Sequence, residues 1–254
     1  MANLVGGRGP GLGWRLGPVA HRGLHNAKAG RIENTPSAFA AAIAHGYAIE
    51  CDVRGAAGDE PVVFHDEELN RLIDAKGLVS ARKPAELAKL AFRGGTDRIP
   101  ALGQLLEQVA GAVPLYIEIK TLFGPPGAFE AKIAACLEQY KGPVAVMSFD
   151  PKAVGAMRAL APKIPRGLIS YRWDDNWQPQ LAAPEREKLH NLAYSDEVAA
   201  GFIAYDIDDL PEHAPFAVKQ RLGIPLLTWT VRTPEQRERA ARFADAIIFE
   251  GFLP

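Results

Sequence analysis

The feature that most constrains the fold is a regular alternation of short β-like runs with Ala- and Leu-rich helical stretches. Strands that alternate with helices predict a parallel sheet. The runs that fit this pattern span residues 18–21, 48–53, 114–120, 143–149, 166–171, 202–206, 225–231 and 246–249. Eight parallel strands close a (β/α)8 TIM barrel, which is the predicted fold. An open doubly wound sheet is the alternative, but no Gly-rich phosphate fingerprint follows the first run.

One further run, PVVFH at 61–65, does not fit the alternation. Only a short segment separates it from the run at 48–53, whereas a parallel crossover needs about a dozen residues or more. We therefore predict that 61–65 is an antiparallel hairpin arm folded back on the second strand. A tight turn would bring His65 across from Ile49 and Glu50, and the next parallel strand would be reached through the helical stretches that follow.

Length and composition limit the organisation and the partners. A chain of 254 residues can form one barrel, so we expect residues 1–254 to be a single domain. The net charge of −1 provides no overall field for nucleic acid or an anionic membrane. The N-terminus lacks a signal-peptide core, and no apolar run approaches the ~20 residues that span a bilayer. We expect a cytoplasmic protein without stable membrane insertion, and Cys51 and Cys136 as reduced, buried thiols.

Charged residues inside two of the predicted strands point to a metal site. Side chains alternate along a strand, so Glu50 and Asp52 share one face, and Glu118 and Lys120 share another. Three carboxylates that project into one space repel each other unless a cation lies between them. Each carboxylate alone could be a solvated strand-end residue, but together they predict a site for a divalent ion, Mg²⁺ or Ca²⁺.

Two histidines and two cations complete the predicted site. His21 ends the first strand and His65 ends the hairpin arm, and histidines with near-neutral pKa values can act as general acid and general base. Arg22 and Lys120 could neutralise the carboxylates, or they could bind the oxygens of a phosphoryl group. A metal ion with both cations favours a substrate that develops negative charge, such as a phosphate ester.

A set of short motifs occurs in a fixed order along the chain and resembles the glycerophosphodiester phosphodiesterases. The motifs are H-R-G at 21–23, E-N-T at 33–35, E-x-D-V at 50–53, V-V-F-H-D at 62–66, I-P-x-L at 99–102, I-E-I-K at 117–120 and W-T-V at 229–231. The resemblance covers nearly the whole length. It implies a barrel that hydrolyses glycerophosphodiesters to glycerol 3-phosphate and an alcohol, with a small-molecule substrate.

The resemblance also implies roles for individual residues. The acid/base pair would be His21 and His65. The divalent ion, which also contacts glycerol hydroxyls, would be held by Glu50, Asp52 and Glu118. The phosphate would be held by Arg22 and Lys120. On the substrate side, Glu33 would support the site and Trp229 would form a wall of the cleft.

The chain departs from the family pattern around the barrel mouth. Ile32 stands where Pro is common, Arg232 where Asn follows W-T-V, and Phe249–Glu250 where Thr-Asp is common. The loop at 171–180 is rich in aromatic and polar residues and would overhang the mouth. These departures bear on the identity of the substrate more than on the type of reaction.

Three alternatives stay open at this point. A lysophospholipase D-like or other phosphodiester-cleaving barrel would be favoured by apolar residues facing the cleft or by activity on lysolipids. A catalytically silent barrel that binds a phosphorylated ligand would be favoured by loss of either histidine, and both are present. A metal-dependent aldolase or isomerase would more naturally carry a Schiff-base lysine and would not need the H-R-G and V-F-H-D motifs.

Overall fold

A computed structural model describes residues 9–121, 123–173 and 181–254. The strands are β1 (Val19–Ala20), β2 (Ala48–Ala56), β3 (Glu60–Val63), β4 (Leu115–Ile119), β5 (Val144–Ser148), β6 (Arg166–Ser170), β7 (Phe202–Asp206), β8 (Leu226–Val231) and β9 (Ala246–Phe249). The α-helices are α1 (Pro36–Ala44), α2 (Pro84–Leu87), α3 (Leu102–Val109), α4 (Ala128–Gln139), α5 (Pro151–Leu160), α6 (Ala183–His190), α7 (His213–Leu222) and α8 (Pro234–Phe243).

The parallel strands close into a barrel. β1 pairs in parallel with β2 on one side and with β9 on the other, and the order around the ring is β1, β2, β4, β5, β6, β7, β8, β9. Helices connect successive strands on the outside, as a right-handed parallel barrel requires. The (β/α)8 prediction is confirmed, and α2 and α3 lie in the predicted crossover between the hairpin and β4.

The hairpin arm is also confirmed. β3 runs antiparallel to β2, with Val53 opposite Val63 and Ala56 opposite Glu60. Continued in this register, His65 lies opposite Cys51, one residue from the predicted Glu50, because β2 continues beyond Val53 to Ala56 before the chain turns. The backbone N–H of Phe64 donates to the carbonyl of Asp52 at 3.0 Å, so His65 lies between the levels of Asp52 and Glu50.

Alternation along β2 and β4 divides apolar from charged residues. Ile49, Cys51 and Val53 belong to the apolar layer between the barrel and its helices, as do the outward residues of β4. The interior of the barrel is filled by a second apolar cluster that includes Ala48 and Tyr116. The interior of the barrel therefore receives three carboxylates nearer the carboxyl ends of the strands than Ala48 and Tyr116. These are Glu50, Asp52 and Glu118.

The segment after the hairpin packs under the arm through its own apolar cluster, which includes Phe64, Ile73 and Phe92. Cys51 and Cys136 are both free thiols. Cys51 is buried as predicted, but Cys136 is only partly buried. None of the helices that the structure describes has the length and apolar character needed to cross a membrane.

Candidate active site

A cavity of about 300 Å³ opens at the carboxyl ends of the barrel strands. Among the described residues, its lining comprises His21, Arg22, Glu50, His65, Glu118, Lys120, Met147, Phe149, Ile169, Tyr171, Asp206, Trp229, Thr230, Arg232 and Ile248. Of the predicted site residues, only Asp52 and Glu33 are outside this lining. Asp52 lies beneath the cavity floor with no exposed surface, and Glu33 lies behind Arg22. Of the loop at 171–180, residues 174–180 lie outside the described residues.

The three predicted metal ligands converge at the floor of the cavity. Glu50, Asp52 and Glu118 are 1%, 0% and 7% exposed, and one oxygen of each lies within 4.8 Å of the others. Burial, together with the charges of Asp52 and Glu118, raises the pKa of Glu50 well above its ordinary value. Burial would also raise the pKa of Asp52, but Lys120 and Arg22 outweigh it and hold that pKa well below the usual range.

The cluster fits a hard divalent cation. Glu50 Oε1 is buried and accepts no hydrogen bond within the described chain. Asp52 Oδ1 and Glu118 Oε1 also lack a well-aligned hydrogen bond, although Lys120 Nζ lies 3.1 Å and 2.5 Å from them as an ion pair. Unpartnered carboxylate oxygens are costly in a buried site, and an all-oxygen set is what Mg²⁺ and Ca²⁺ prefer.

Asn34 holds Asp52 in place, a role that the sequence did not reveal. The side-chain amide of Asn34 donates to Asp52 Oδ2 at 2.7 Å, and its carbonyl accepts from the backbone N–H of Asp52 at 3.1 Å. Asn34 has a positive φ of 57°, a conformation that asparagine tolerates better than most residues. A short polar residue just before a helix is commonly its cap, but Thr35 and not Asn34 is the N-cap residue of α1.

Arg22 lies at the centre of the site because the backbone turns sharply after β1. Its N–H donates to Glu50 Oε2 at 2.9 Å, and its side chain contacts Glu33 Oε1 at 2.6 Å and Asp52 Oδ2 at 3.1 Å. Burial opposes the charge of Arg22, but Asp52 and Glu33 outweigh it and raise its pKa. Gly23 permits the turn, because it has φ 78° and a Cβ there would lie 2.9 Å from the backbone of Ala38.

His21 is held by a carboxylate from the opposite end of the chain. Its Nδ1 lies 2.6 Å from Glu250 Oε2, and Nε2 faces Glu50 Oε2 at 3.9 Å. Glu250 also contacts His25 Nε2 at 3.4 Å and accepts from Arg232 Nε at 2.6 Å. Burial lowers the pKa of His21 below that of an ordinary histidine, and the hydrogen bond to Glu250 partly opposes this shift.

His65, like His21, is held by a carboxylate through its Nδ1 atom. Its Nδ1 lies 2.7 Å from Asp66 Oδ1, and Asp66 in turn accepts from Arg71 Nε at 2.5 Å. Arg71 also donates to both oxygens of Glu33, at 2.7 and 3.1 Å. The oxygens of Glu33 are thus occupied by Arg71 and Arg22, so this residue connects the surroundings of His65 to Arg22.

Sequence reasoning found the residues that strand alternation places in the barrel but missed four that complete the site. Glu250 and Asp206 each follow or end a strand, Asp66 follows His65 directly, and Asn34 precedes α1. Asn34 and Asp66 lie within the E-N-T and V-V-F-H-D motifs, and Glu250 stands where the chain departs from the family pattern, whereas Asp206 left no signal in the sequence.

The sequence of this chain is similar to those of known phosphodiesterases. A sequence profile described as the glycerophosphoryl diester phosphodiesterase family matches residues 21–250. The glycerophosphodiester phosphodiesterase of Caldanaerobacter subterraneus subsp. tengcongensis is 28% identical over 233 residues, which cover 87% of this chain and 88% of that protein. YhdW of Bacillus subtilis (strain 168), provisionally named a glycerophosphodiester phosphodiesterase, is 32% identical over 165 residues, or 60% of this chain, and the chain spans 65% of its length.

The fold is shared with solved structures of such proteins. A phosphodiesterase from Oleispira antarctica, solved in complex with the product sn-glycerol-3-phosphate, superposes with a TM-score of 0.72. The alignment covers 92% of this chain and 93% of that chain at 23% sequence identity.

Proposed function

The chain belongs to the glycerophosphoryl diester phosphodiesterase family, and on that premise we propose that it is a phosphoric diester hydrolase that releases glycerol 3-phosphate and an alcohol from glycerophosphodiesters. One observation carries the proposal: three buried carboxylates meet at the floor of a cavity that two histidines and two cations also line or adjoin. The fold-sharing phosphodiesterase from Oleispira antarctica binds sn-glycerol-3-phosphate as product, which supports the same product here.

Glu50, Asp52 and Glu118 would hold a divalent ion, Mg²⁺ or Ca²⁺. When bound, the ion would supply positive charge beside the phosphoryl group, which stabilises the negative charge that develops there. Asn34 fixes the orientation of Asp52 through two hydrogen bonds, so that one oxygen of this carboxylate stays directed at the cluster. Support of this kind keeps ligands in place and commonly contributes to metal affinity.

Arg22 and Lys120 would bind the phosphate oxygens. Both are largely buried and both line the cavity, so the phosphate would meet cations that water screens weakly. Each cation also forms ion pairs with carboxylates of the cluster, and these contacts keep its side chain oriented in the absence of substrate. Glu33 would position Arg22 through their 2.6 Å contact, and Trp229 would form the cavity wall on the opposite side.

His21 and His65 would move the protons. With Nδ1 bound to a carboxylate, each imidazole can use Nε2 for proton exchange with substrate. Burial lowers the pKa of His21, which favours its neutral form. We therefore assign His21 as the base that accepts a proton from the attacking water, whose oxygen bonds to phosphorus, and His65 as the acid that protonates the alcohol oxygen as its bond to phosphorus breaks.

A substrate panel tests the proposal. The chelated protein would be assayed with glycerophosphodiesters and with lysophospholipids, each with added Mg²⁺, Ca²⁺ or Mn²⁺, and products would be identified by ³¹P NMR. We expect release of glycerol 3-phosphate that depends on the added ion. Release of an alcohol phosphate, hydrolysis of lysophospholipids alone, or full activity after exhaustive chelation would each contradict the proposal.

A further inference from the structure

The half of the cavity opposite the metal ligands has a different chemical character. In the ring order, β7 lies opposite β2, and β5 to β8 form the half that faces the carboxylate cluster. The described lining residues on this half are mainly apolar and aromatic, including Phe149, Tyr171 and Trp229. Asp206, the last residue of β7, is the carboxylate among them.

Asp206 is partly buried and forms no ion pair with another described residue. Its Oδ1 accepts a hydrogen bond from the backbone N–H of Asp208 at 2.8 Å, and Arg232 acts on it only through its charge, without an ion pair. Burial raises the pKa of Asp206 to about 6, so the side chain is mostly ionised above neutral pH. A partly desolvated carboxylate of this kind is stabilised by a cationic ligand.

The aromatic residues extend from the phosphate side of the cavity to Asp206. Lys120 Nζ lies 5.9 Å from the centroid of the Phe149 ring. Phe149 contacts Trp229 edge to face at 5.4 Å, and Trp229 is paired in register with Asp206 on the neighbouring strand. A phosphodiester bound at Lys120 would thus direct one of its two substituents along Phe149 and Trp229 toward Asp206.

We propose that Asp206 is a specificity-determining residue that makes the enzyme prefer diesters whose alcohol portion carries a positively charged ammonium group. The inference rests on the proposed function. A carboxylate next to aromatic faces attracts an ammonium ion both by charge and through the ring quadrupole. Arg232 also lines the mouth and its charge lowers the pKa of Asp206, but its Nε donates to Glu250 at 2.6 Å, so the direct contact of Arg232 is with Glu250.

A hydroxylated alcohol is the competing ligand, because a carboxylate also accepts hydrogen bonds from hydroxyl groups. The ratio of kcat/KM for glycerophosphocholine to that for glycerophosphoglycerol separates the two, since the substrates differ in the charge of the alcohol. The ratio would be measured for the wild type, for Asp206→Asn and for Asp208→Asn. The last is a matched control on the same loop, because Asp208 is exposed and outside the cavity lining.

We expect the ratio to fall roughly tenfold in Asp206→Asn, as loss of an ion pair and its associated cation–π contact implies, and to stay unchanged in Asp208→Asn. Asp206→Ser, which keeps an acceptor for the Asp208 N–H, should give the same loss if the Asn variant does not fold. An unchanged ratio, or a selective loss on glycerophosphoglycerol, would overturn this inference alone. Hydrolysis of neither diester by the wild type would overturn the proposed function and this inference with it.

Discussion

Replacement of Glu250 by glutamine tests the proposed role of His21 as a base and the contribution of Glu250 to it. In the wild type, Glu250 Oε2 lies 2.6 Å from His21 Nδ1, which keeps the proton on that nitrogen and leaves Nε2 available as a base. A glutamine of nearly the same shape can instead present its NH₂ group to Nδ1. That contact would favour the opposite tautomer, in which Nε2 carries the proton and cannot accept another.

The magnitude follows from the type of contact that is lost. A hydrogen bond to a charged group contributes about 1.5–3 kcal/mol, and each 1.4 kcal/mol corresponds to a factor of about ten in rate. If the loss is expressed in the transition state, where His21 becomes positively charged, kcat should fall by roughly 10- to 150-fold. KM should change little, because Glu250 is not among the residues that line the cavity.

A pH profile separates this role from a purely structural one. The contact with Glu250 opposes the effect of burial and raises the pKa of His21, since a negative charge stabilises the imidazolium. Its removal should lower that pKa further, so the limb of the kcat/KM profile that His21 controls should move to lower pH. Glu250→Asp should restore part of the activity because it keeps the charge, and Glu238→Gln on the exposed face of α8 is the matched control.

A Glu250→Gln variant that folds normally, keeps kcat within about threefold of wild type and shows an unshifted pH profile of kcat/KM would refute this role of Glu250. A parallel loss of kcat and thermal stability without a shifted limb would also refute it, because the carboxylate would then serve the fold alone.

Further changes probe the rest of the site. His65→Ala should lower kcat by about 10²–10⁴ with an intact fold, as steady-state kinetics and circular dichroism would show, and near-wild-type turnover would remove His65 from the mechanism. Glu118→Gln should weaken metal affinity, measured by calorimetric titration, because it removes one ligand charge; unchanged affinity would exclude Glu118 as a ligand. Lys120→Met should cost about 3–5 kcal/mol in urea denaturation with chelator present, because it leaves Asp52 and Glu118 without their shared cation; an unaltered midpoint would contradict that ion pairing.

The barrel could be predicted from the sequence because strand alternation and connection lengths are local properties. Glu50 and Asp52 share a face of β2 wherever the strand lies, and the short connection to β3 excludes a parallel crossover. The level of His65 could not be predicted in the same way, because the register of a hairpin depends on where the turn occurs. β2 continues to Ala56 before the turn, and this register places His65 opposite Cys51 instead of Glu50.

The supporting contacts could not be predicted because they join residues that are distant in the chain. Glu250 and His21 are 229 positions apart, and they meet only because β9 pairs with β1 to close the barrel. The role of Asn34 could not be predicted because a short polar residue before a helix is typically a cap, and only the tertiary structure shows that its amide contacts Asp52.

The charge of the site is consistent with the proposed divalent ion and phosphodiester substrate. The three buried carboxylates exceed Arg22 and Lys120 by one negative charge, and the raised pKa of Glu50 shows that burial and its acidic neighbours disfavour full ionisation without a further cation. A bound divalent ion would favour the ionised form of Glu50 and leave the group with one net positive charge. A phosphodiester carries a single negative charge, so this site would be neutral with substrate bound, whereas a second negative charge on the phosphate of the product would upset that balance and favour release.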